Sequence, residues 1–452
     1  MKSVNPATEK VLKEFDTATD KEIEQALKNS VDAFKFQKTQ DFEVRAKKLN
    51  KAADLLEEKK EEYGKILTQE MGKPIKQAVA EVEKCAWVCR YYAENAKDFL
   101  ADETVETDKK RSYIAYQPIG PVLAVMPWNF PFWQVFRFAA PSLMAGNTGI
   151  LKHASNVPQS ALAIEEILRN AGFENYEFQT LLIGSDKIEK ILKDDRIRAA
   201  TLTGSEGAGS AVASTAGEKI KKTVLELGGS DAFIVMPSAD MDNAVEMAVK
   251  GRIQNNGQSC IAAKRFIVHE DVYDAFRDRF VEAFKGLKTG DPMNEDNDVG
   301  PLAMSDNVDD IEKQVQDTVK KGANILVGCE KTEGKGYFYT PGIIENIPEG
   351  SPAYEDELFG PVASLFKVGS LDEAIDLANG SKFGLGSAIF TTEKSDMDKA
   401  VKELDAGGTF INTITASDPR LPFGGVKASG YGRELARFGI HEFVNIKTVV
   451  EI

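Results

Sequence analysis

The sequence predicts an α/β protein built on a doubly wound parallel sheet. Three observations predict it. Between residues 120 and 229, five short apolar runs alternate with helical stretches, and that alternation calls for parallel strands joined by crossover helices. The runs end in turn-forming segments, PWNFP, KHAS, Gly184-Ser185, TGS and ELGG, at the carboxyl ends where such sheets bind ligands. A second alternating segment runs from residue 232 past residue 410. A second α/β unit is therefore expected, and a length of 452 residues favours two or three domains.

Residues 20–100 are charge-rich and helical in period, with Leu49, Ala52, Ala53 and Leu56 at helical spacing and Gly72-Lys73-Pro74 as a break. Their expected role is to cover other elements. Gly120-Pro121 precedes the first strand, VLAVM (122–126), and a helix follows PWNFP up to Ala145. NTGILK (147–152) is the second strand, and PQSALAIEEILRNAG (158–172) is a helix ending at glycine. FQTLLIG (178–184) is the third strand, residues 186–193 a short helix, and RAATLTG (198–204) the fourth strand. SEGAGSAVASTAG follows as a small-residue helix, then KTVLELGG (222–229) as the fifth strand. Beyond it, AFIVM (232–236), RFIVHE, ANILVG, VASLFKVG, SAIFTT and GTFIN read as strands. The terminal HEFVNIKTVVEI (441–452) alternates like an edge strand. Such a strand serves either as a contact between subunits or as a member of its own sheet.

Composition narrows the function. Hydrophobic residues make up 42% and charged residues 28%, a balance that supplies a large core and excludes wholesale disorder. The net charge of −15 repels phosphate backbones and anionic lipid, so neither nucleic acid nor membrane is an expected partner. Four cysteines, Cys85, Cys89, Cys260 and Cys329, are too few for a disulfide scaffold. The N-terminus lacks the apolar stretch of a signal peptide, and no run approaches the roughly 18 apolar residues of a membrane span. A soluble cytoplasmic protein is expected.

Several constellations carry chemical potential. Cys260 lies in NNGQSCIAAKR, after a polar turn that can present a thiol to a cleft with backbone N–H groups beside it; a buried structural thiol is the other reading. Glu226, in LELGGS, has an apolar neighbour on each side, which suits a general base, or else is a salt-bridged carboxylate at a strand end. Asn129, between the prolines of PWNFP, is either a rigid donor for developing negative charge or a turn cap. TGSEGAGS (203–210) opens a helix and can cradle phosphate, yet fits neither the P-loop nor the three-glycine dinucleotide fingerprint. His153, His269 and His441 stand far apart, and Cys85 and Cys89 have no further ligands near them in sequence, so no metal site is expected.

In combination the motifs say more. PWNFP, LKHAS, TGS, LELGG, GQSC, EDELFGP and PFGGVKASGYGRE, in this order and spread across the chain, resemble the aldehyde dehydrogenase superfamily. The resemblance is strongest to the shorter, bacterial NAD(P)-dependent succinate-semialdehyde dehydrogenases. It implies a Rossmann-type cofactor domain (1–97 and 117–228), an α/β catalytic domain (229–428) and a small β oligomerisation segment (98–116 and 436–452). By the same resemblance Cys260 is the nucleophile, forming a thiohemiacetal and then a thioester. Asn129 and the Cys260 N–H hold the oxyanion, and Glu226 activates the hydrolytic water. A glutamate there also argues against the CoA-acylating branch.

The cofactor contacts implied are Trp128, Lys152, Ser155, Gly204, Ser205, Gly209, Glu357 and Phe359. Ser155 stands where NAD-preferring relatives often carry glutamate, so NADP, alongside NAD, is the expected cofactor. Arg137 matches an arginine that grips a distal carboxylate, and an ordinary ion pair on a helix surface is its alternative. Gln254 replaces a second arginine of the pattern, Asp418 stands near a usual serine with Arg420 close by, and Ile261 and Ala262 leave no vicinal cysteine. The departures keep lactaldehyde, glycolaldehyde and glutarate semialdehyde open as substrates beside succinate semialdehyde. A non-catalytic structural protein on the same fold is the alternative of another class. A homodimer or homotetramer is expected.

Overall fold

The computed structural model describes residues 1–452. The five apolar runs become the parallel strands of one sheet. Pro121–Met126, Thr148–His153, Phe178–Thr180, Ala199–Thr203 and Lys222–Glu226 are mutually parallel. Their spatial order is 222–226, 199–203, 121–126, 148–153, 178–180. The order reverses between Pro121–Met126 and Ala199–Thr203, and at such a switch point a ligand crevice opens beyond the strand ends. The segments leaving those two strands are PWNFP and TGS.

Two expectations for this sheet need correction. The third strand stops at Thr180 and does not reach 184. The Leu181 amide still bonds Leu151 O at 2.8 Å, but Ile183 N turns back onto Leu181 O at 3.0 Å, which sinks Leu181 and Ile183 into the apolar layer beside Ile191. The sheet also has a sixth strand, Gly430–Tyr431, antiparallel to Lys222–Glu226 with Gly430 opposite Glu226. A two-residue strand has no period to read.

Helices cover both faces. Asp20–Gln37 begins at a capping box between Thr19 and Glu22 and lies over one face through Ile23 and Leu27. Phe42–Glu58, Lys60–Met71 and Ile75–Phe99 cover the other, with Leu49, Ala52, Ala53 and Leu56 fully buried. The expected break is a left-handed helix end at Gly72 (φ +83°), where a Cβ would lie 2.5 Å from Pro301 O. Trp133–Ala145 is a mainly apolar helix buried on every side, and its polar Gln134 and Arg137 are matched by Asn129 and Glu434.

The second sheet has seven strands in the order 324–327, 342–345, 362–368, 263–269, 231–235, 386–390, 408–411. The first pair is antiparallel and the rest are parallel. Gly342–Glu345 was not legible, being four residues long and directly after Pro341. The terminal strand, Val444–Glu451, pairs along its length with Arg111–Pro118, which pairs in turn with Glu103–Thr104. Its other edge has no partner within the chain. No helix is long and apolar enough to cross a membrane.

Candidate active site

The loop that carries Cys260 is shaped by three consecutive left-handed residues. Asn255 (φ +55°), Asn256 (φ +57°) and Gly257 (φ +74°) follow the helix Met241–Ile253. Asparagine tolerates that region and glycine occupies it freely; a Cβ on Gly257 would sit 2.3 Å from Gly360 O. Buried side chains then fix the loop. Asn256 Nδ2 donates to Gly72 O and Pro301 O, both at 2.9 Å. Arg252 donates to Gly257 O at 2.7 Å and Ala263 O at 2.9 Å. Lys264 Nζ donates to Ser259 O, Cys260 O and Ala262 O at 2.8–3.1 Å. Lys264 is absent from the sequence-based site. Its signal was the pair of charges, Lys264 and Arg265, at the start of the strand Ala263–His269.

Asn129 is buried against this loop. Its Nδ2 donates to Gln258 O at 3.1 Å, and its Oδ1 accepts from Gln134 Nε2 at 3.0 Å. Gln134 therefore fixes which way the amide points and leaves one Nδ2 hydrogen for a ligand. Asn255 Nδ2 ties the two segments together through Asn129 O and Gln258 O, each at 2.8 Å. Burial pushes the Cys260 thiol up to about 12; Glu357 adds to the shift, while Lys264 and Arg137 oppose it.

Two cavities meet at Cys260 and Gln134. One, of about 290 Å³, opens at the switch point and is lined by Trp128, Asn129, Gly204, Ser205, Glu357 and Phe359. Trp128 and Phe359 meet edge to face at 5.8 Å. Glu357 is held by Lys264 at 3.1 Å. Ser205 caps the helix Glu206–Glu218, its Oγ accepting from Ala208 N at 3.3 Å. Gly209 lets this helix close on the sheet, since a Cβ would meet Leu227 at 2.6 Å. Lys152 and Ser155 stand at the end of Thr148–His153, outside this lining. Burial alone lowers the Lys152 pKa, with no carboxylate opposing it, and Ser155 is exposed. A helix N-terminus, an uncompensated lysine, an aromatic slot and a fixed carboxylate are what the phosphates, ring and ribose of a dinucleotide require. No group of three or more His, Cys, Asp or Glu is arranged to hold a metal ion.

The other cavity, of about 240 Å³, has Phe130, Trp133 and Phe423 near the thiol and Arg137 and Lys84 in its wall. Arg137 Nε pairs with Glu434 Oε2 at 2.5 Å, Nη2 donates to Thr203 Oγ1 at 3.3 Å, and the guanidinium stacks 4.6 Å from the Phe423 ring. Neither the exposed helix surface nor a vacant arginine describes it. Glu226 lines neither cavity. It is buried, with no hydrogen-bond partner for either carboxylate oxygen. Burial, followed by the nearby Glu434, raises its pKa well above the carboxylate range, and Arg137 and Arg433 oppose the shift. Gly424 leaves it room, since a Cβ there would lie 2.7 Å from Glu226 Oε1. The structure thus places Asn129 on one side of Cys260 and Arg137 on the other, and leaves Glu226 buried near Arg137, outside both cavities.

Residues 1–449 match the model of the aldehyde dehydrogenase family. The chain is 53% identical over 447 residues to a probable succinate-semialdehyde dehydrogenase [NADP(+)] of Synechocystis sp., covering 99% of this chain and 98% of that one. It is 53% identical over 451 residues to a succinate-semialdehyde dehydrogenase [NADP(+)] of Mycolicibacterium paratuberculosis, covering 99% and 96%. Among solved structures, succinic semialdehyde dehydrogenase from Streptococcus pyogenes, in complex with NADP+ as the cofactor, superposes with a TM-score of 0.97. Its sequence is 38% identical, and the match covers 99% of both chains.

Proposed function

The chain belongs to the aldehyde dehydrogenase family, and from that premise we propose that it oxidises succinate semialdehyde to succinate with NADP, alongside NAD, as cofactor. The observation that carries this reading is the cavity opening on Cys260: apolar beside the thiol, cationic in its wall, and sized for a short aldehyde with a carboxylate at its far end. Cys260 Sγ attacks the carbonyl carbon as its thiol proton, held by burial, leaves to water, and the free Asn129 Nδ2 hydrogen and the Cys260 N–H receive the oxyanion. NADP, when bound, would supply the hydride acceptor that turns the adduct on Cys260 into a thioester. Glu226 then takes a proton from water as the water oxygen attacks the thioester carbonyl, and the C–S bond breaks to return the thiolate. Trp128, Gly204, Ser205, Gly209, Glu357 and Phe359 bind the nicotinamide–pyrophosphate portion, and Lys152 and Ser155 the adenosine ribose.

Cofactor choice is tested at Ser155. Ser155→Glu places a carboxylate against a 2′-phosphate at an exposed site, where repulsion of about 1.4–2.7 kcal/mol corresponds to about 10–100-fold. The NADP/NAD ratio of kcat/KM falls by that factor, and an unmoved ratio refutes the assignment. The carboxylate clamp is tested by Arg137→Ala, read as kcat/KM for succinate semialdehyde relative to butanal. The ratio drops at least about 30-fold; a ratio within twofold of the parent sinks the clamp. This variant also strands Glu434 beside Glu226, costing about 3–5 kcal/mol of stability, which thermal unfolding measures. A steady-state panel adding lactaldehyde, glycolaldehyde and glutarate semialdehyde, with both nucleotides, ranks the competing substrates. A panel with no turnover at all would favour the non-catalytic reading.

The same reading divides the chain into a cofactor domain (1–97 and 117–228), a catalytic domain (229–428) and a β arm (98–116 and 436–452). Two separate, mainly parallel sheets support that division, although Arg111–Pro118 runs across the boundary at 116. The arm supports a homodimer or homotetramer: Val444–Glu451 keeps one open edge, and Ile446 and Val450 are 61% and 50% exposed. Four free thiols suit a reducing cytoplasm.

A further inference from the structure

We propose that Lys84 is a specificity-determining residue whose ammonium group receives the distal carboxylate of the substrate; the inference rests on the succinate-semialdehyde reading and adds a residue that the sequence comparison of motifs did not mark. Lys84 lies on the helix Ile75–Phe99 and lines the same cavity as Cys260. The charges around it are otherwise matched. Glu81 pairs with Lys73 and accepts the Phe132 and Trp133 amides at 2.9 and 3.0 Å. Arg137 pairs with Glu434, and Asp418 with Arg420 at 2.6 Å. Lys84 alone has no carboxylate. Its Nζ donates to Ser417 Oγ at 2.8 Å and sits 4.4 Å from the Trp133 ring centroid.

An ammonium group carries three donors, and Ser417 uses one. A largely desolvated cation with spare donors beside an apolar channel attracts an anion more strongly than a guanidinium already neutralised by a buried carboxylate. Arg137 contributes geometry through its remaining N–H groups, while Lys84 contributes the unbalanced charge. Burial, followed by the nearby Arg137, brings its pKa down to about 8, against Cys85, Asp418 and Glu81, which raise it. The ammonium form, and with it the attraction, is therefore lost as pH rises past that value.

The experiment measures the ratio of kcat/KM for succinate semialdehyde to that for butanal in the full chain, in which titrations of Cys260 and Glu226 common to both substrates cancel. Lys84→Met lowers this ratio at least about 30-fold, and Lys84→Arg restores it to within about fivefold of the parent. In the parent the ratio falls about tenfold per pH unit above pH 8, and in Lys84→Met that slope disappears. A second readout needs no turnover: succinate slows alkylation of Cys260 by iodoacetamide, and Lys84→Met weakens this protection at least about 30-fold. Should Lys84→Met fail to fold, Lys84→Gln, which keeps a donor for Ser417, takes its place. A substrate ratio and a protection constant both within twofold of the parent overturn the proposal. A parent that does not prefer succinate semialdehyde, yet shows Lys84-dependent protection by succinate, upholds the anion subsite and refutes the substrate reading.

Discussion

Cys260→Ala lowers kcat for aldehyde-dependent NADPH formation by at least about 10⁴-fold, equivalent to about 5.4 kcal/mol of transition-state stabilisation. The size follows from the surroundings. Cys85, Cys89 and Cys329 are buried elsewhere, and neither cavity has a second thiol. The loss is chemical rather than structural, because the loop is held through its carbonyls by Lys264 and Arg252 and not through sulfur. The variant should accordingly unfold at nearly the parent temperature and still bind NADP in a fluorescence titration. Aldehyde-driven NADPH formation within tenfold of the parent, in protein shown by mass to carry alanine, would refute covalent catalysis at this position.

Much of this site was legible because local sequence fixes local geometry. Uncharged apolar runs such as VLAVM are fully buried on both faces. Residues just beyond their carboxyl ends land at the crevice: PWNFP and TGS flank the switch point, and Trp128, Gly204 and Ser205 line the groove between them. What escaped depends on partners distant in sequence. Nothing local announces that Gly430 pairs with Glu226 or that Arg137 faces Glu434. Gln134 reads as one more residue of a buried helix until its amide is seen on Asn129. Lysine is usually solvated, and only the fold shows Lys264 under the Cys260 loop and Lys84 in the cavity that opens on Cys260. The two-residue strand Gly430–Tyr431 was missed because periodicity needs length, and Gly342–Glu345 because it directly follows Pro341, whereas the equally short Asn324–Val327 and Gly408–Ile411 were legible.

Glu226→Gln is expected to separate the two halves of the reaction. In the proposed mechanism hydride removal does not call on Glu226, whereas hydrolysis of the thioester does. The variant gives a rapid burst of NADPH stoichiometric with active sites, then a steady state slower by about 10²–10³-fold, within the usual contribution of a general base. The acyl-enzyme that accumulates is detectable as the mass of Cys260 plus a succinyl group. Folding should suffer little, since neither carboxylate oxygen makes a hydrogen bond that glutamine would lose. Only the ionised carboxylate can accept the proton, and burial together with Glu434 holds the Glu226 pKa well above its ordinary value. Parent kcat, where deacylation limits it, therefore falls as pH drops through that raised value, well before the ordinary carboxylate range is reached. The limb belongs to the Glu226–Glu434 pair of like charges as a unit, with Arg137 lowering both. In Glu226→Gln the limb vanishes. Retention of parent kcat without a burst would mean that water is activated by some other group, and an unaltered acid limb in the variant would assign that titration elsewhere.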